Sequence, residues 1–94
     1  MAYARKKLPV FPGEGQIRFR GFQGPTAYEI TGDPSTLRLG PLRLRGWASL
    51  DAELAQEAFR AGEAELTLEN GAHYRLTVIG HTTGSDVVYF EMRI

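Results

Sequence analysis

The chain has no cysteine among its 94 residues, so neither a disulfide framework nor a thiolate metal site is open to it. Apolar runs never exceed a few residues, too short for a membrane-spanning helix. Net charge is absent as well: 11 basic side chains balance 11 acidic ones, without the basic excess of a typical nucleic-acid binder. Met1 to Lys7 carries basic residues with no apolar stretch behind them, so no secretory signal is expected and a cytoplasmic setting is the default.

The balance of charge hides a division. Residues 1–47 hold Arg5, Lys6, Lys7, Arg18, Arg20, Arg38, Arg43 and Arg45 against Glu14, Glu29 and Asp33, a net +5. Residues 48–94 hold Arg60, Arg75 and Arg93 against eight acids, a net −5. Such a split points either to interaction surfaces or to two halves that lie side by side and neutralise each other.

Residues 1–14 read as an extended N-terminal tail, because Pro9 and Pro12 fix their own φ and restrain their predecessors. Val10 and Phe11 are placed to strap that tail to the body. Residues 15–94 read as one mainly β domain. In 15–47, Ile17 and Phe19 alternate with Gln16, Arg18 and Arg20, Tyr28 and Ile30 with Glu29 and Thr31, and Leu37 and Leu39 flank Arg38. Gly40-Pro41 reads as a bulge or turn at a sheet edge, after which Leu42 to Arg45 resumes the alternation. Over 49–61 the period changes: Leu50, Leu54 and Ala58, with Ala55 and Phe59 beside them, make one stripe of a short helix. Ser49 suits the N-cap, Asp51 and Glu53 the first turn, and Gly62 the position just past the end. The helix is expected to plug an open end of the β-structure. Alternation returns over 63–94 with Ala64, Leu66 and Leu68, then Tyr74, Leu76 and Val78, then Val88, Phe90, Met92 and Ile94.

A two-residue Asn70-Gly71 turn would set Leu66 against Arg75 and mix the faces. A three-residue loop, Glu69-Asn70-Gly71, pairs Leu66 with Tyr74, Ala64 with Leu76 and Glu65 with Arg75, and is preferred. By the same logic Val78 pairs with Val88 and Arg75 with Glu91. In the first half, Ile17 pairs with Ile30 and Ile30 with Leu37, which aligns Arg18, Glu29 and Arg38. The result is two three-stranded antiparallel meanders whose outer ladders, Arg18–Glu29–Arg38 and Glu65–Arg75–Glu91, carry opposite signs. That mirror suggests a degenerate internal repeat. Two such meanders can cover each other as a small six-stranded sandwich or curl into a partly closed barrel, with the short helix between them.

No catalytic group, cofactor motif or metal set stands out. His81, Ser85 and Asp86 share one loop, but Ser, Gly and Asp are turn-formers, and local crowding supplies no base beside a nucleophile. His73 and His81 with a stray carboxylate make a poor zinc set. Gly21-Phe22-Gln23-Gly24-Pro25 lacks the following helix that a phosphate cradle needs and reads as a β-turn with an exposed aromatic. Asp33-Pro34-Ser35 resembles part of the Asp/Asn-x-Ser-x-x-Gly element of PilZ domains in two residues only. Arg38 stands where the glycine belongs and no Arg-x-x-x-Arg pair occurs, so the segment reads as a turn.

The candidate binding residues are Arg18, Arg20, Phe22, Arg38, Arg43, Arg45 and Trp47, an arginine-rich outer face with aromatics nearby. The leading expectation is a non-catalytic protein-binding or assembly module, partnered by another protein or by itself. The alternative is a single-stranded nucleic-acid or nucleotide binder that uses the same arginines.

Overall fold

Buried and exposed positions alternate along six antiparallel strands: β1 Val10–Phe19, β2 Phe22–Thr31, β3 Leu44–Ser49, β4 Glu63–Thr67, β5 His73–His81 and β6 Val87–Arg93. They close into a barrel in the order β1-β2-β3-β6-β5-β4, so the architecture is a barrel and not a sandwich. The computed structural model describes residues 9–39 and 43–93, apart from the side chains of Ser35, Arg38 and Leu39. Each half of the chain supplies three consecutive strands, and the ladders β3–β6 and β1–β4 join the halves. Ile17, Ile30, Leu66, Leu76, Val88, Phe90 and Met92 fill the interior.

One helix, α1 (Ala52–Ala61), lies between β3 and β4 and packs on β4, β5 and β6 at the end where β5 finishes. Its Ala55 and Ala58 are buried, and the segments before and after it are tied down: Leu50 N–H donates to the Asp86 carbonyl, and Val78 N–H to that of Gly62. Gly62 ends the helix at φ 78°, as expected. The N-cap, however, is Asp51, whose Oδ1 accepts from Glu53 N–H at 3.2 Å; Ser49 is the last residue of β3.

The second half keeps part of the expected pairing. Leu66 stands opposite Tyr74, Ala64 opposite Leu76 and Glu65 opposite Arg75. The β5–β6 register differs by two residues over Arg75 to Val78, where Leu76 meets Met92 and Arg75 meets Arg93, and a bulge between Val78 and Gly80 shifts it by one more. Glu91 therefore faces Thr77 and not Arg75.

The first half departs further. The β1–β2 hairpin turns at Arg20-Gly21, so Ile17 pairs with Gly24, Arg18 with Gln23 and Phe19 with Phe22. β1 begins at Val10 and thus takes in Val10 to Glu14 of the segment read as a tail. Pro12 and Pro25 both sit where their strand has no partner on its second edge, the placement a missing N–H requires. Leu37 to Leu39 is not a strand. Pro34–Leu39 forms a 3-10 helix, begun by Thr36 N–H and Oγ1–H donating to the Asp33 carbonyl. At three residues per turn, Pro34 and Leu37 share one face, and both are buried. The third strand of this half is Leu44–Ser49; Gly40-Pro41 and Leu42 lie outside the described residues. Neither expected ladder exists in full, so the sign-reversed correspondence that suggested a repeat is lost.

Candidate functional site

The seven candidate residues do not share a face. Arg18 is on β1 opposite Gln23, and Arg45 is on β3 opposite Thr31. Those two β2 positions are eight residues apart, roughly 26 Å along an extended strand. Arg20 lies in the hairpin turn, where its guanidinium donates to the Arg60 carbonyl at 3.3 Å. Phe22 is half-buried, packed on the core with its ring 5.3 Å from that of Phe19, so it is no exposed platform. Arg38 belongs to the 3-10 helix, and its side chain lies outside the described residues.

The arginines of the first half are largely engaged by acids of the second. Arg18 pairs with Glu65 across the β1–β4 ladder, while Arg43 and Arg45 both approach Glu91, at 3.8 and 3.5 Å. The +5/−5 division is thus partly neutralised within the barrel wall, where the two halves lie side by side.

Two surfaces remain. The first is the outer wall of β3, β6 and β5. Trp47 stands between Glu29 on β2 and Tyr89 on β6, and Tyr89 in turn faces the bulge of β5. Tyr89 is 51% exposed and Ile79 46%, while Trp47 is half-buried. The Tyr89 ring lies over Gly80 with room between them, since a Cβ added there would meet it at an ordinary 3.7 Å. Arg43, Arg45 and Glu91 flank this patch on one side and Glu29 on another.

The second surface is a cleft of about 370 Å³ where the end of β1 parts from the start of β4. Arg18 and Arg20 border it together with Arg75 and Arg93, two arginines of the acidic half that alternation alone does not bring to them. The missed signal was Gly80 inside a strand pattern, a mark of a bulge that resets register. Ile79, Tyr89 and Arg93 all depend on that bulge for their neighbours.

The loop histidine is accounted for structurally. His81 Nε2 contacts the Ser85 carbonyl at 3.0 Å, and Ser85 Oγ accepts from Val87 N–H at 3.1 Å, so hydroxyl and ring serve the turn and do not meet. His73 Nδ1 lies 2.8 Å from Thr67 Oγ1. Among the described residues, no three of His, Cys, Asp or Glu converge on a metal position, and no helix is long and apolar enough to cross a membrane.

No family model, curated protein or solved structure matches the chain.

Proposed function

We propose that this chain is a non-catalytic protein-binding module whose contact face is the β3–β6–β5 wall and whose partner is a second copy of itself. The supporting observation is the cluster of Trp47, Tyr89 and Ile79, large apolar groups brought together on the outside of a closed barrel. Tyrosine and tryptophan deliver much contact area at little conformational cost, which is why they anchor protein interfaces. The stretches of β1 and β2 that lack a second partner carry Pro12 and Pro25, which discourage strand addition, so association goes through side chains. Zero net charge removes long-range repulsion between copies.

The nucleic-acid alternative draws less support, because Arg18, Arg43 and Arg45 already face carboxylates and the expected aromatic neighbour Phe22 is tucked against the core.

Sedimentation velocity across micromolar to millimolar protein tests the reading. The wild type is expected to gain mass with concentration, and Tyr89→Ser combined with Ile79→Ser to remain monomeric at an unchanged melting temperature. A wild type that stays monomeric throughout removes the second copy as partner.

A further inference from the structure

An outward-facing row runs across five strands: Gln23 on β2, Arg18 on β1, Glu65 on β4, Arg75 on β5 and Arg93 on β6. Its one acid, Glu65, is held by Arg18. Arg75 and Arg93 are left directly opposite each other, both exposed, and their guanidinium groups make no ion pair or hydrogen bond to any described residue. Like charges directly opposite on neighbouring strands are unfavourable unless an anion lies between them. The same row borders the cleft at the end of β1, whose charged lining is Arg18, Arg20, Arg75, Arg93, Glu63 and Glu65. Four guanidinium groups against two carboxylates leave a net +2 there.

That charge selects a class of ligand. A phosphate monoester carries about −1.5 to −2 near neutral pH and offers three acceptor oxygens. Guanidinium forks match such oxygens in pairs. The cleft, about 370 Å³, lies within the size range of small-molecule sites. The sole ring in its lining, Phe19, is only 5% exposed, so the cleft offers no stacking platform for a nucleobase. We propose that this cleft binds a small phosphorylated molecule by its phosphate monoester, with Arg75 and Arg93 as the principal donors. Arg18, steered by Glu65, and Arg20, anchored on the Arg60 carbonyl, complete the rim. The site is separate from the Trp47–Tyr89 patch and does not depend on self-association.

The experiment is an NMR titration of the isotope-labelled full chain at moderate salt, following the arginine Nε–H signals. Glucose 6-phosphate and glycerol 3-phosphate are the probes, with glucose and glycerol as their uncharged counterparts. Saturable shifts of Arg75 and Arg93 with the phosphates alone are expected. Arg75→Gln and Arg93→Gln should each weaken binding about tenfold or more, the loss of a charge-assisted contact. Both variants should melt no lower than the wild type, since each relieves the repulsion; a purely structural role predicts the reverse. Absence of saturable shifts in the wild type, or affinity unchanged in both variants, overturns the proposal. Shifts produced by an oligonucleotide and by neither monoester overturn it in favour of a phosphodiester ligand.

Discussion

Phe90 of β6 occupies the space that Gly46 of β3 leaves empty: a Cβ on Gly46 would stand 2.9 Å from the Phe90 ring and closer still to the Glu29 carbonyl. The second of those neighbours is backbone of the adjoining strand and has nowhere to go. Gly46→Ala is expected to destabilise the barrel by about 1–3 kcal/mol, the range for overpacking a filled interior. Urea unfolding monitored by tryptophan fluorescence measures it. A loss below a few tenths would mean that β2 and β3 can spread apart freely.

Adjacent residues on β6 should behave oppositely. Phe90 is fully buried and Tyr89 half exposed. Phe90→Ala should cost about 3–5 kcal/mol, the usual toll for emptying an aromatic site in a core. Tyr89→Ser should stay within about 0.5 kcal/mol, as surface substitutions generally do. Comparable losses in the two denaturation curves would contradict the inward and outward facing of β6.

At the start of α1, Asp51 supplies the only side-chain acceptor that a described residue offers to the first-turn amides. Asp51→Ala should cost about 1 kcal/mol, while Asp51→Ser should recover most of it. Equal stability of the alanine and serine variants in thermal melts would show that the cap is idle.

Between Arg18 and Glu65 the contact is short but wet, with side-chain exposures of 59% and 51%. A double-mutant cycle with Arg18→Gln and Glu65→Gln should return a coupling of about 0.2–1 kcal/mol that shrinks as salt is added. A larger, salt-insensitive coupling would be at odds with this exposure.

The faces of the strands were legible in the sequence; the partners were not. Pairing Ile17 with Ile30 misplaces the hairpin by six positions, and pairing Leu76 with Phe90 misplaces the last ladder by two over Arg75 to Val78, before its bulge. Both errors are even numbers, and with a period of two an even slip sends no side chain to the wrong side. Alternation is therefore blind to them. β3 was hidden for another reason. Its inward positions include Gly46 and Ala48 while Trp47 points out, so the usual contrast of large-inside and polar-outside is inverted. Leu37 lies in the core, as its alternation with Arg38 implies, yet it arrives from a 3-10 helix, because Pro34 and Leu37 match a period of three as well as Leu37 and Leu39 match two. The candidate site suffered most from register. Arg93 acquires its role only once it stands opposite Arg75.

The ladder between β1 and β4 is three pairs long, Gln16 to Arg18 against Thr67 to Glu65, whereas β1 and β2 share ten. A cylinder with one short weld has a preferred place to split. Its amides should be the first in the barrel wall to exchange with heavy water, and the split form would be a single curled sheet with β1 and β4 as its two rims. Arg18 on one rim and Glu63 and Glu65 on the other, already solvated, would then line the two open edges. Charges at those places discourage strands of other molecules from docking there, so the same side chains that fasten the closed cylinder also guard the opened one.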